Sequence, residues 1–478
     1  MIAEIGSILQ DMCRLSKEDL MVIGVSGGLD SLSLAHILHT LDYQIVIAHF
    51  NHQLRDEAEQ DSIKTRDFAE EIGVEFELGK EDVQAYSQSH SLSIEEGARE
   101  LRYQFLFSVA QKRNAKAVLV AHHADDQVET VLMHLLRGAG LAGLKGMRPC
   151  TLFLEYSESI PLVRPLLFTW RKEILKYCNE KDLEPTEDFS NFDTRFFRNR
   201  LRHDLIPLLE SYNPKIREAI FRMVQSLTGD HEVLQIVIKK AWEDCVERRG
   251  DGFVAFSQIA FQGQPIGIQR GLLRQVISTL RPRVRDVDFN SIEKGLAVAR
   301  NPVQSDRIDL ISGLFMMTEE DYLWIADWDA DLPSSNWPQV RDDKMEVVIP
   351  GNYNLGSGWY FKITKAEDAD LERVNAFNNE DLFRAWLDAD QVRDQIMIRP
   401  RISGDRFEPL GMRGHSTKLS DIFINAKIPR RARVAWPLIC SADIIHWIPG
   451  CNQSHKSRIT DQTTAILTLQ LEKVNRKK

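Results

Sequence analysis

The sequence predicts an α/β protein: a parallel sheet with helices on both faces, then a helical middle domain and a small α+β C-terminal domain. Three observations lead there. Up to about Arg137, short apolar runs alternate with stretches of helical periodicity, the pattern of a parallel sheet with crossover helices. The polar, chemistry-bearing residues gather just after the apolar runs, where ligands bind in such sheets. The chain has 478 residues and is 43% hydrophobic, more than one core usually serves. Composition shifts divide it into 1–212, 213–345, 346–394 and 395–478.

The first strand is Leu20 to Val25. It ends in Ser26-Gly27-Gly28-Leu29-Asp30-Ser31, and the amphipathic stretch Leu32 to Leu41 follows. Strand, tight glycine loop and helix N-terminus together aim backbone N–H groups and a helix's positive end at one point, a place for phosphate. Gly27 and Gly28 let backbone approach it, and Ser26 and Ser31 can donate hydroxyls. Asp30 makes sense beside a phosphate only with a cation between them, read as Mg2+. The Gly-Lys-Ser/Thr of a Walker A loop is missing.

Gln44 to His49 is a second strand, Glu57 to Ile72 a helix, Val74 to Leu78 a short strand and Ile94 to Arg113 a long helix. Ala117 to Ala121 is another buried strand, with Asp125 to Arg137 as its helix. Gly138 to Gly146 has the composition of a mobile loop. Helices are expected at Trp170–Lys181 and Phe196–Leu209, and mostly helix from Asn213 to about Leu280. Asp327–Pro350 reads as acidic surface connection, Glu346–Thr364 as a hairpin, and Glu380–Asp394 as an acidic stretch before a basic module.

Net charge is −10, against a generalised nucleic-acid binder, yet the charge is segregated. Residues 395–440 carry nine Lys/Arg against three Asp/Glu, and 195–217 six against two; 319–346 carry nine Asp/Glu against two Lys/Arg. Two basic faces suit a polyanion. The six cysteines form no Cys-x-x-Cys pair, against zinc, iron–sulfur and dithiol chemistry. With no long apolar run and no basic, apolar leader at Met1–Ile5, no membrane span or signal peptide is expected, and scattered thiols suit the cytoplasm.

Four further constellations carry chemistry. His49-Phe50-Asn51-His52-Gln53-Leu54-Arg55 closes the second strand: Asn51 or His52 suits adenine or ribose edges, and Arg55 a phosphate. His122-His123-Ala124-Asp125-Asp126-Gln127-Val128-Glu129 opens a helix after a buried strand. Asp125 or Asp126 can cap it, and Asp126 and Glu129 share a face, leaving a carboxylate for a metal or a cationic substrate. Arg99, Arg102 and Tyr103 share a helix face, as do Arg198 and Arg202 downstream of Asp188-Phe189-Ser190-Asn191. Clustered arginines there suit phosphates or developing negative charge; the plain alternative in each case is a solvated, salt-bridged face.

Taken together these motifs resemble the N-type ATP pyrophosphatases with a PP-loop, and within them the tRNA(Ile)-lysidine synthase family. The C-terminal run is similar to that family's last domain: Ile398-Arg399-Pro400-Arg401, Gly404-Asp405-Arg406-Phe407, Pro429-Arg430-Arg431-Ala432-Arg433 and Ile445-His446-Trp447-Ile448-Pro449-Gly450. Residues 215–390 are similar only in length and helical character. The resemblance implies a ligase: ATP adenylates the C2 carbonyl oxygen of the wobble cytidine in the CAU anticodon of tRNA(Ile). Free L-lysine then displaces AMP, so the codon read changes from AUG to AUA and charging from Met to Ile. It implies ATP contacts at Ser26 to Ser31, His49, Asn51, His52 and Arg55, and Mg2+ at Asp30 and Asp126. It assigns lysine to Arg99 and Glu129, and the activated cytidine or tRNA phosphates to Arg198 and Arg202. In the basic module, Arg399, Arg401, Arg430, Arg431 and Arg433, with Trp436 and Trp447 nearby, suit backbone phosphates and base stacking on the tRNA. No obligate protein partner is implied. The rivals are a PP-loop tRNA thiolase, which usually needs closely spaced cysteines, an amidotransferase-type synthetase, which needs an ammonia source, and a nucleotide sensor or tRNA-binding module that consumes no ATP.

Overall fold

A computed structural model describes residues 1–53, 58–186, 197–282, 284, 287–300, 307–333, 337–340, 344–356, 358–392, 394–412 and 414–474. The chain forms two compact units, Met1–Glu243 with Arg281–Arg285, and Asp244–Leu280 with Asp286–Lys478, a coarser division than the four segments expected from composition.

The first unit opens with α1 (Ile2–Ser7), which runs into a π-helical turn, Ile8–Met12. Then come β1 (Met21–Gly24), α2 (Leu29–Thr40), β2 (Ile45–Asn51), α3 (Ala58–Glu71), β3 (Glu75–Lys80), α4 (Val83–His90), α5 (Ile94–Lys112), β4 (Ala117–Leu119), α6 (Ala124–Leu136), α7 (Leu141–Leu144), β5 (Cys150–Thr151), β6 (Leu162–Val163) and α8 (Arg171–Glu180). The sheet order is β3-β2-β1-β4-β6-β5, parallel except for β5 against β6. Both faces are covered. Met21, Ile23 and Val25 point into a core shared with Leu34, Ile37 and Ile174 of α2 and α8, while Val22, Val46 and Val118 point into the opposite core with Leu106 and Phe107 of α5. Residues buried on both sides explain why the strands read as unbroken apolar runs.

β1 pairs with β2 on one side and β4 on the other, so successive crossovers leave it in opposite directions. A crevice opens at such a switch point, beyond the C-terminal ends of the strands. The glycine loop after β1 and the His-His-Ala-Asp-Asp segment after β4 flank that point.

The glycine-rich stretch 138–146, expected to be mobile, is tied down. The His134 Nδ1–H donates to the Gly143 carbonyl at 2.7 Å, and the Gln127 amide bonds both the N–H and the carbonyl of Met147 at 2.7 and 2.9 Å. Gly146 has φ +65°, and a Cβ there would lie 2.5 Å from Gln127 Oε1. Glycine serves close approach here, a use that composition does not distinguish from flexibility.

After α9 (Phe197–Arg200), a π-helical turn (Leu201–Leu205) leads into α10 (Ile206–Tyr212), and then the 30-residue α11 (Ile216–Cys245). Pro207 has no N–H for the helical ladder, and the widened turn lies just before it.

The second unit contains helices α12 (Gln258–Gln262) and α13 (Ile266–Leu280), within the stretch read as helical, and α14 (Phe289–Arg300) beyond it. They accompany a sheet that the periodicity did not announce: β7 (Val246–Gly250), β8 (Phe253–Ser257), β9 (Ile308–Ile311), β10 (Leu314–Glu319) and β11 (Tyr322–Asp327), in the order β7-β8-β11-β10-β9. β10 is buried along its whole length, so it shows no alternation to read. The expected hairpin forms between Gly351–Gly356 and Trp359–Lys365. Its second strand also pairs with Ile466–Lys473, which in turn pairs with Arg384–Asp388. The chain's last described strand therefore completes a sheet begun more than a hundred residues earlier. Strands Ile396–Arg399, Leu438–Ser441 and Ile444–Ile448 are the central three of a five-stranded antiparallel sheet, with Met345–Glu346 and Asn452–Gln453 at its edges. No helix among the described residues is long and apolar enough to cross a membrane.

Candidate active site

The Ser26–Ser31 loop is built to hold its own shape. The Ser31 hydroxyl donates to the Gly28 carbonyl at 3.0 Å and accepts from the Ser26 N–H at 3.1 Å, and the Gly28 N–H lies 3.4 Å from Ser26 Oγ. Gly27 sits at φ +86°, where a Cβ would press on the Thr65 and Thr186 hydroxyls, each 3.3 Å away. Gly28 is the N-cap of α2 with no side chain over the helix end, and Leu29 and Asp30 are its first residues. Unfilled N–H groups at a helix start attract an anion.

Asp30 is mostly buried, and its Oδ1 has no hydrogen-bond partner. Burial raises its carboxyl above the usual range, against the opposing pull of His123 and Arg171. A half-satisfied carboxylate at a phosphate loop fits a cation. His123 links it to Asp126: His123 Nε2 lies 3.7 Å from Asp30 and 3.5 Å from Asp126. His123 is also the N-cap of α6. Its Nδ1 accepts the Asp126 N–H at 3.4 Å while the Asp126 carboxylate accepts the His123 N–H at 3.0 Å. Asp126 is the reciprocal partner in that cap. Asp125 points elsewhere, accepting the Arg171 N–H at the start of α8 and the Arg217 guanidinium of α11 at 2.8 Å. Burial opposes ionisation of Asp126, but His123 and Arg198 outweigh it and hold the carboxyl well below the usual range.

No three or more His, Cys, Asp or Glu side chains converge as a metal cage among the described residues. Two carboxylates beside a phosphate site are still the donor set that Mg2+ takes, since it usually binds one or two carboxylates together with substrate phosphates. The orphaned Asp30 Oδ1 fits it.

Glu129, one turn after Asp126, is fully buried. Arg198 Nε reaches it at 2.7 Å, Arg202 Nε at 2.7 Å and the Arg202 terminal nitrogen at 3.1 Å. Arg198 also reaches Asp126 at 3.0 Å. These arginines are not a solvated face. They form a desolvated group with two carboxylates, each guanidinium about a quarter exposed. Glu129, expected to meet a substrate ammonium, has oxygens that receive three guanidinium N–H groups. Arg99 is exposed and lies over the Tyr103 ring at 5.4 Å, as Arg102 does from its own side, and no hydrogen bond joins Arg99 to Glu129 among the described residues.

Of the residues after β2, His49 is buried and its Nδ1–H donates to the Val25 carbonyl at 2.9 Å; burial lowers its pKa. It joins two strands beneath the loop rather than facing a nucleotide. The Asn51 amide donates to the Ala58 carbonyl and to Ser62, and its oxygen accepts the Gln53 N–H at 2.9 Å. Its polar atoms shape the turn, so the expected reading of a base edge by Asn51 is corrected to a positioning role. His52 packs edge-on against Phe50, and Arg55 lies outside the described residues.

Three site-adjacent residues were missed in the sequence. His123 lay in a quoted motif but was passed over for the acids beside it. Arg171 was hidden in an ordinary helix start. Arg164 was legible as a lone charge inside the apolar run Leu162–Leu167; it is buried and donates to the Arg148 carbonyl at 2.9 Å and to Thr151.

The basic module divides in two. Arg399 is buried in a two-pronged ion pair with Asp405 at 2.9 and 2.8 Å. Arg431 pairs with Glu319 of β10, donates to the Leu332 carbonyl, and lies between the Trp324 and Trp337 rings at 5.5 and 5.0 Å. Trp436 and Trp447 are core residues. Expecting these four to meet RNA is therefore corrected: each is spent inside the fold. Arg401 and Arg430 are exposed and Arg433 half-buried, and the latter's pKa is lowered by burial and by the other two, which places the three charges together.

Residues 2–209 match the family model described as a PP-loop domain, and 396–469 match the TilS substrate C-terminal domain. The chain is 31% identical to the tRNA(Ile)-lysidine synthase of Dehalococcoides mccartyi over 95% of its own length and 96% of that protein's. It is 32% identical to the enzyme of the same name from Geobacter sulfurreducens, over 95% and 93%. A solved TilS C-terminal domain is 28% identical, covering 28% of this chain and 97% of that one with a TM-score of 0.25.

Proposed function

The chain belongs to the tRNA(Ile)-lysidine synthase family, and from that premise we propose that the crevice beyond β1 and β4 is where it converts the wobble cytidine of tRNA(Ile) to lysidine. It is a tRNA-modifying ligase that uses ATP through its PP-loop domain. The observation that carries the site assignment is the meeting, at the switch point, of a self-braced glycine loop with a carboxylate oxygen that has no protein partner.

ATP lies with its leaving pyrophosphate against the loop and the start of α2. Asp30 and Asp126 would hold Mg2+, which would supply positive charge against the departing pyrophosphate. His123 spaces the two carboxylates. The cytidine O2 bonds to the α-phosphorus as pyrophosphate leaves. The amine of L-lysine then bonds to C2, loses a proton, and AMP departs with the oxygen. Arg198 and Arg202 present a preorganised positive charge to the adenylated base or its phosphates, and Glu129 fixes their directions. Arg99, exposed on α5, is the guanidinium available to the lysine carboxylate. Arg401, Arg430 and Arg433 hold RNA phosphates, contacts that position the nucleic acid and take no part in the chemistry. The reaction calls on no protein partner and proceeds in the cytoplasm.

The test is incubation with ATP, labelled lysine and a CAU-anticodon transcript. Label entering the RNA with equal release of AMP and pyrophosphate is expected. ATP consumption without incorporation points to a different nucleophile, and no ATP consumption overturns the enzyme reading.

A further inference from the structure

The glycine-rich stretch 138–146, tied down by His134 and Gln127, lies outside the reaction centre. It carries Lys145 and Arg148 to one side of α11, where His231, Glu232, Gln235 and Ile236 complete a cavity of about 600 Å3 within the first unit. Gln127 holds Met147, between the two basic residues, and the Arg164 guanidinium holds the Arg148 carbonyl. The backbone that carries the two cations is thus anchored on both sides. Neither makes an ion pair within 4 Å among the described residues. His231 is 7% exposed, and its Nδ1 has no hydrogen-bond partner. A buried ring nitrogen without a partner in a cavity of like charges points to an absent polar ligand. Mutual repulsion adds to the case: burial and Arg148 lower the Lys145 pKa, and burial, Lys145 and Arg148 lower that of His231. An anion relieves both.

We propose that this cavity is a binding subsite for one phosphodiester of the RNA backbone. Lys145 and Arg148 supply the charge, His231 a ring hydrogen bond, and the exposed Ile236 an apolar rest for the adjoining ribose. Two cations against Glu232 leave one net positive charge, which matches a phosphodiester better than the more highly charged free phosphate. The subsite depends on the chain acting on tRNA. It is tied to the reaction centre through α6, whose Asp126 and Glu129 pair with Arg198 while Gln127 anchors the stretch 138–147.

The experiment compares the full-length wild type with the double variant Lys145→Gln, Arg148→Gln and, separately, Gln235→Glu, which adds a carboxylate at an exposed position of the rim. Affinity for the tRNA transcript is measured by filter binding over a range of salt, with urea unfolding to check the fold and inorganic phosphate titrated by calorimetry. The double variant should lose about tenfold in affinity, and its log–log salt slope should become shallower by about one, the effect of one lost phosphate contact. Gln235→Glu should weaken binding in the same direction while unfolding like the wild type. If wild type binds tRNA and both variants match it in affinity and slope, the subsite is refuted while the tRNA reading stands. If wild type itself does not bind tRNA, the functional reading fails and the subsite with it. Phosphate binding that is lost in the double variant, with tRNA affinity unchanged, makes this a free-anion site and also overturns the proposal.

Discussion

Replacing Glu129 by Gln distinguishes two roles for this carboxylate. In the fold it is fully buried and receives three guanidinium N–H groups, from Arg198 at 2.7 Å and Arg202 at 2.7 and 3.1 Å. Glutamine preserves the shape but removes the charge and turns one acceptor into a donor facing a guanidinium. Breaking one side of a buried ion pair costs about 3–5 kcal/mol. Here the arginines keep Asp126, at 3.0 and 3.7 Å, and are about a quarter open to water, so we expect a loss nearer about 2–3 kcal/mol. Urea unfolding of the two proteins measures it. Because the arginines lose their aim, AMP formation should fall along with lysine incorporation. A carboxylate that only met the substrate ammonium would behave differently, raising KM for lysine with stability and adenylation intact. That second pattern, with a stability change below about 0.5 kcal/mol, would refute the positioning role.

Asp30→Asn should unfold like the wild type, since Oδ1 has no partner to lose, yet AMP formation should drop about 100-fold or more; equal AMP formation would remove Asp30 from the site. Arg431→Ala leaves the buried Glu319 without its guanidinium partner and should destabilise the second unit by about 3–5 kcal/mol in urea, whereas a change below about 1 kcal/mol would leave Arg431 free for RNA. Burial, with Lys456 nearby, holds His446 down to about 4, against about 6.5 in an unfolded chain. Between those values the unfolded chain binds the extra proton, so stability is complete above about pH 6.5 and declines toward pH 4, by about 2–3 kcal/mol. His446→Gln should flatten that part of the urea midpoint against pH, and an equally steep curve would assign the loss to other groups.

The sequence by itself determined the elements whose side chains carry one clear pattern. The strands of the first sheet are buried on both faces and so appear as apolar runs. The loop Ser26–Ser31 is marked by paired glycines, one of which takes φ +86°. The placement of Asp30, His123 and Asp126 at strand ends follows from chain order alone, because a parallel sheet brings every such end to the same edge. What charge and spacing could not say was where each guanidinium ends. Arg401 and Arg399 are two residues apart, yet one is exposed and the other is locked to Asp405. Arg431 found Glu319 112 positions earlier in the chain. Glu129 found two arginines about 70 positions later. The completion of a sheet by Ile466–Lys473 is equally distant from anything that a local window contains. Periodicity records whether a residue is buried. A charge's partner is chosen by how separate elements pack, and only tertiary structure decides whether a charged side chain is held inside the fold or remains available to a ligand.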